Sequence, residues 1–180
     1  MKSKGSRAGT YDNTEGRFLD KITRLMTKED KSYLAGFLDG DGSIHAQLIK
    51  SKTKYGYHPR VSVVFYQKTT RHWFLIKLKK MIGFGVLRKR KDGMSELTIT
   101  GFSPVKDILT TIAPFLKLKQ RLAFLVLGII EEYKRVTTTA CFLKVCKKID
   151  ETARYTDSKK RKNTYSSVKN YLDSPVETEE

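Results

Sequence analysis

The chain has 180 residues, which is room for one domain with a substantial core and hardly enough for two. Lys and Arg number 36 against 19 Asp and Glu, so the formal net charge of +17 points to a polyanionic partner, and no apolar run approaches the roughly 18 residues that a membrane span requires. An aromatic content of 11% excludes a disordered basic tail, and the two cysteines, Cys141 and Cys146, have no zinc-spaced partners and read as reduced thiols in a reducing compartment.

Residues 1–26 read as a flexible basic extension without a hydrophobic signal core. Thr27 is suited to cap a helix with Glu29 and Asp30 in its first turn, where the macrodipole favours acids. That helix runs through Tyr33 and Leu34 to Gly40 and stops at Asp41-Gly42. Ile44, Ala46 and Leu48 then alternate with His45, Gln47 and Ile49, the pattern of a half-buried strand. A turn-rich basic loop, Lys50 to Pro59, leads to a return strand with Val61, Val63 and Phe65 inward and Arg60, Ser62, Val64 and Tyr66 outward. Thr69 or Thr70 is expected to cap a second helix, roughly 70 to 82, with Trp73, Phe74, Ile76 and Leu78 as expected core and Gly83 and Gly85 as its end.

A second hairpin follows. Arg88 and Arg90 share one face of its first strand; its second puts Leu97 and Ile99 inward and Glu96, Thr98 and Thr100 outward. Lys91-Asp92-Gly93 is a strong turn signal between them. Ser103 as N-cap and Pro104 at the first helical position predict a helix to about Ala113, broken by Pro114. Helices are expected from about Leu118 to Lys134, from about Thr139 to Arg154 and, after a basic loop at 157–163, around Val168 to Leu172. One domain therefore spans 27–173, and 174–180 form an acidic, disordered tail. The layout is α+β, with helices over one face of an antiparallel sheet and a polar, basic open face suited to the major groove of DNA.

The string Leu34-Ala35-Gly36-Phe37-Leu38-Asp39-Gly40-Asp41-Gly42-Ser43-Ile44 resembles the signature of the LAGLIDADG homing endonucleases almost letter for letter. It sits on a helix leading into a hairpin, as that signature does. Gln67-Lys68-Thr69 before Arg71-His72-Trp73-Phe74, the run Pro114 to Gln120, and Asp157 to Lys162 extend the resemblance to the compact single-motif members, over about Lys28 to Asp173. The resemblance implies an αββαββα fold with a saddle-shaped antiparallel sheet and C-terminal helices. It also implies an intron-encoded enzyme of a chloroplast or mitochondrion that acts in intron homing. Such an enzyme cuts both strands of a long pseudo-palindromic target and leaves staggered ends. Mg²⁺ is the implied cofactor, with Mn²⁺ substituting and Ca²⁺ binding without supporting cleavage; no other small-molecule cofactor and no membrane enter.

The residues agree with it. Gly36 and Gly40 are four apart, so they share one helix face on which two helices can pack backbone to backbone, with Phe37 beside them. One copy of the motif requires two chains, hence an isologous homodimer. Asp41 at the helix end then comes beside its twin; the two carboxylates repel, and a divalent cation that favours oxygen ligands relieves this. By resemblance Asp41 is the metal ligand, the Gly40 carbonyl assists, Gln67 orders water, and Arg71 and Lys119 form a basic pair at the scissile phosphate, with Lys117 a rival for the last role.

The candidate base readers are His45, Gln47, Arg60, Ser62, Tyr66, Arg88, Arg90, Glu96 and Thr98. Lys50, Lys52 and Lys54 in the hairpin loop reach the outer half-site, while Ser158, Lys159 and Lys162 resemble phosphate contacts, which position without specifying. One duplex turn per chain makes a target on the order of 20 bp. Ile49 and Val64 stand where the family often has polar readers, and His58 and Arg60 also depart from it, so the chemistry carries over and the target does not. His45, His58 and His72 show no metal-ligand spacing. Two rivals are an RNA-binding maturase, disfavoured because A-form RNA hides its major groove, and a catalytically dead DNA-binding regulator, disfavoured by intact Asp41, Gln67, Arg71 and Lys119.

Overall fold

The computed structural model describes residues 26–156 and 161–174; the expected N-terminal extension up to residue 25, Ser158 and Lys159, and the tail beyond 174 lie outside them. Helix α1 (Lys28–Asp41) starts with a reciprocal cap: the Asp30 backbone N–H donates to the Thr27 hydroxyl and the Thr27 N–H donates to the Asp30 carboxylate, both at 3.1 Å. It buries Leu34, Ala35 and Leu38. The helix passes into strand β1 (Gly42–Lys50) with no intervening loop. Gly42 makes this possible, since a Cβ there would stand 2.5 Å from the Leu38 side chain and 3.0 Å from its backbone.

Strands β1, β2 (Tyr57–Lys68), β3 (Val86–Lys89) and β4 (Met94–Thr100) form an antiparallel sheet in the order β1-β2-β4-β3. The expected alternation holds: Ile44, Ala46, Leu48, Val61, Val63, Phe65, Leu97 and Ile99 are buried towards the helices. Val64 is a partial exception. It belongs to the open face, yet it lies between Ser43 of β1 and Thr98 of β4 on the central strand and is itself buried. Gly93, with φ 79°, supplies the left-handed residue that the β3–β4 turn needs.

Between the hairpins, a 3₁₀ turn (Thr69–Arg71) leads into α2 (His72–Ile82), whose buried stripe is Leu75, Leu78 and Ile82. This corrects the expected core: of Trp73, Phe74, Ile76 and Leu78, only Leu78 is fully buried, and Trp73 is 56% exposed. The helix is rotated so that spacing from Leu75 faces the sheet. Helix α3 (Phe102–Ile112) begins one residue before the predicted cap: Gly101 is the N-cap, Ser103 makes no capping bond, and Pro104 lies inside the first turn, where a missing N–H costs nothing. A 3₁₀ turn (Ala113–Phe115), α4 (Gln120–Lys134), α5 (Thr139–Glu151), a further 3₁₀ turn (Thr152–Tyr155) and α6 (Tyr165–Asp173) complete the helical layer. Both cysteines are free; burial pushes the Cys146 thiol up to about 12, so it is an inert core group.

The C-terminal segment closes the sheet on the β1 side. Arg161 donates to the carbonyl oxygens of Ala46 and Ile149 at 3.1 and 2.9 Å and to the Thr152 hydroxyl, while Asn163 donates to the Leu48 carbonyl at 2.8 Å. Tyr171 of α6 packs on Gly56 and edge-on to Tyr57, and Tyr55 stacks on Phe142 at 4.2 Å, so the β1–β2 loop is seated on α5 and α6.

Candidate active site

Asp41 is the last residue of α1 and is exposed. Near the end of β2, Gln67 donates from its amide nitrogen to Asp41 Oδ2 at 3.2 Å, and its amide oxygen accepts from Arg71 at 3.4 Å. The three side chains form a relay from helix end to 3₁₀ turn. Antiparallel pairing produces it, because Gly42 stands opposite Phe65 and so brings the start of β1 beside the end of β2.

Lys119 reaches the same helix end from the other side. It sits just before α4, and its ammonium donates to the Asp39 carbonyl. The Asp39 carboxylate accepts the backbone N–H groups of Lys117, Leu118 and Lys119 at 2.7, 3.1 and 2.9 Å. Burial raises the Asp39 carboxyl, but these three donors and the nearby Lys119 charge outweigh it and hold the group below the ordinary carboxylate range. Of the two rival lysines, Lys119 has its ammonium directed at the end of α1, and Lys117 is exposed. Asp39 went unrecognised in the sequence; its partners lie 78 to 80 residues away, and no local pattern announces them.

Gly36 and Gly40 are exposed, and a Cβ at either would meet nothing within 4 Å. Phe37 turns partly inward instead, stacked on Phe65 at 5.7 Å and edge-on to Phe74 at 5.1 Å. Tyr33, 52% exposed on the glycine side of α1, adjoins Phe74, and Phe74 adjoins the exposed Trp73. The open glycine face therefore has an aromatic margin.

On the open sheet face part of the expected polar set is paired. Arg60 donates to the Gln47 amide oxygen at 3.2 Å. Glu96 lies between Arg90 at 3.7 Å and Arg88 at 4.0 Å, and Arg90 also pairs with Asp92 at 2.7 Å. His45 stands opposite Ser62, Tyr66 opposite Glu96, and Thr98 opposite Val64. Burial, followed by Arg161 and Arg60, pushes His45 below its ordinary value; burial and then Glu96 push Tyr66 up. Lys50, Lys52 and Lys54 are exposed; the loop is shorter than expected, because Lys50 ends β1 opposite Tyr57 and only Lys52 and Lys54 lie in it, with Lys54 over the Tyr55 ring at 4.8 Å. Exposed Lys162 is held between the anchors Arg161 and Asn163, which sequence reading also missed although they alternate within its basic loop. His58 turns to Tyr133 and Phe102, and His72 bonds the buried Ser95 hydroxyl at 3.0 Å, so both have partners within the fold.

The oxygen donors suit a hard divalent cation: Asp41 has an exposed carboxylate and follows the exposed Gly40 in sequence. Among the described residues no three His, Cys, Asp or Glu side chains come together.

The chain matches the LAGLIDADG endonuclease family over residues 34–124. It is 45% identical over 150 residues to the DNA endonuclease I-CreI of Chlamydomonas reinhardtii, covering 82% of this chain and 91% of that protein. It is 39% identical over 132 residues to the DNA endonuclease I-CvuI of Chlorella vulgaris, covering 72% of this chain and 81% of that one. The crystal structure of I-CvuI with the I-CreI target and Mg, in which the DNA is not cleaved, superposes with a TM-score of 0.75 at 33% identity, over 86% of this chain and 95% of that chain. A signature helix running unbroken into a four-stranded antiparallel sheet, shared with these relatives over most of the sequence, makes the chain a member of the LAGLIDADG homing endonuclease family.

Proposed function

We propose that the protein is a site-specific double-strand DNA endonuclease that works as a homodimer with divalent metal ions, Mg²⁺ foremost. The observation that carries this is the convergence at the end of α1, where exposed Asp41 is linked to Gln67 and Arg71 on one side and Lys119 approaches on the other. The glycine face of α1, with room for another backbone and aromatic residues at its margin, supports pairing with a second copy, which would bring two Asp41 carboxylates together. Those carboxylates and the Gly40 carbonyls would hold the metal, which when bound lowers the pKa of water and stabilises charge on the phosphate.

The chain's own groups do the rest. Gln67, fixed by Arg71, orients one Asp41 oxygen and keeps its amide where it can align water. Arg71 and Lys119 supply positive charge against the extra negative charge of the transition state. On the sheet face, the Gln47–Arg60 pair and the Arg88–Glu96–Arg90 cluster offer hydrogen-bonding groups whose orientation is set before DNA arrives, Lys50, Lys52 and Lys54 reach bases or phosphates of the outer half-site, and Lys162 supplies a phosphate contact. Target length of about 20 bp, from one duplex turn per chain, belongs to the same reading. So do substitution by Mn²⁺, binding of Ca²⁺ without cutting, an organellar home and a single domain at 27–173.

Cleavage of a randomised duplex library with Mg²⁺, with Ca²⁺ and EDTA controls, tests it. Staggered cuts at one long, near-palindromic site are expected with Mg²⁺ alone. Tight binding to one site with no cutting under any divalent metal would overturn the nuclease reading.

A further inference from the structure

The two acidic side chains of the motif face different surroundings. Asp41 is exposed, with the Gln67 amide on one oxygen. Asp39 is filled by protein donors: Oδ2 accepts from the backbone of Lys117 and Leu118, and Oδ1 from that of Lys119. These N–H groups belong to the segment that opens α4. Lys119, in the N-cap position, makes no side-chain cap of its own. Asp39 performs that task from another helix, a placement that a helix N-terminus favours for an anion. The Lys119 ammonium then returns to the Asp39 backbone carbonyl, so both ends of this long residue are tied to one residue of α1.

From this geometry we infer that Asp39 is a positioning residue for DNA cleavage, which fixes Lys119 at the helix end that carries Asp41. The inference rests on the nuclease reading above. A lysine joined to the fold at its Cα alone samples many rotamers and places its charge poorly. Here the carboxylate holds the main chain of Lys119 and the adjoining carbonyl gathers its ammonium. Because Asp41 lies two residues further along the same helix, any displacement of α1 carries both groups together.

The test is single-turnover cleavage by the full-length protein with Mg²⁺, on the duplex recovered from the library, together with the Kd for that duplex in Ca²⁺. Asp39→Asn keeps the side-chain shape but replaces one acceptor oxygen by an amide that opposes the N–H donors; Asp39→Ala removes both acceptors. Each is expected to slow cutting about 10- to 100-fold with Kd within about threefold of wild type, the scale for loss of an outer partner that orients a catalytic group. The discriminating measurement is the double variant Asp39→Ala/Lys119→Ala, expected to cut within about threefold of Lys119→Ala alone, since residues acting as one unit are not additive. Cutting at the wild-type rate by Asp39→Asn, losses that multiply in the double variant, or a fall in binding that matches the fall in cutting would each overturn it. A wild-type protein that cuts no duplex instead defeats the nuclease reading, and the two failures are distinct.

Discussion

Gln67 and Asp41 lie 26 residues apart in sequence and 3.2 Å apart in space, with the amide nitrogen of the first donating to the carboxylate of the second. The bond leaves the other Asp41 oxygen free of this contact and orients the carboxylate before any cation or DNA is present. A preset group of this kind avoids reorganisation during the chemical step.

Asp41→Asn retains an oxygen that can accept from Gln67, so the geometry survives while the charge is lost. Cutting is expected to fall by at least about 100-fold, on the scale of losing one preorganised electrostatic group. Specific binding should persist, because Asp41 lies off the base-reading face. Gel-shift binding in Ca²⁺ beside cleavage in Mg²⁺ measures both; cutting at the wild-type rate would remove Asp41 from the metal site.

Gly36→Leu puts a side chain into open space in the isolated chain and into the path of a second helix in a dimer. The fold should gain up to about 1 kcal/mol from better helix propensity, while sedimentation should report monomers. Dimers of unchanged affinity would show that α1 is not the pairing surface.

Arg88 is 72% exposed and Glu96, its partner at 4.0 Å, 17% exposed, so the arginine is free to meet a base and the glutamate is its support. Arg88→Ala should relax preference at one position in each half-site by about 1 to 3 kcal/mol. Sequencing the sites cut from a library tests this, and an unchanged preference throughout would strike Arg88 from the reading set.

Burial lowers His45 and His58 from an ordinary value of 6.5. Below that pH the unfolded chain binds more protons than the folded one, so the stability is present in full above 6.5 and declines as pH falls from 6.5 through the lower folded values. Urea unfolding at a series of pH values should record the decline, and His58→Gln should make it shallower. A slope that His58→Gln leaves untouched would assign the effect to other groups.

Periodicity made the sheet and most of the helices readable. Ile44, Ala46 and Leu48, and likewise Val61, Val63 and Phe65, obey a two-residue alternation that burial confirms. It failed where several registers were equally apolar: α2 holds Trp73, Phe74, Leu75, Ile76 and Leu78, and only packing against the sheet selects Leu75, Leu78 and Ile82. Ser103-Pro104 misled for a related reason, since Gly101 begins the helix without a side-chain cap. Asp41, Gln67 and Arg71 were visible through resemblance to a known motif. Asp39, Arg161 and Asn163 were not, because most of their partners are backbone groups, and a backbone group leaves no letter in the sequence.

The clamp of Arg161 and Asn163 on β1 has a consequence for how the chain folds. Arg161 reaches Ala46, and Asn163 reaches Leu48, each across 115 residues. While the protein is being synthesised, β1 can pair with β2 early, but its outer edge stays uncovered until residue 163 has left the ribosome. An edge strand with unpaired backbone groups is a template for other strands, and contacts this distant in sequence form late. Among the described strands the first is therefore the last to receive its clamp, and the nascent chain is expected to be most prone to self-association just before residue 163 emerges.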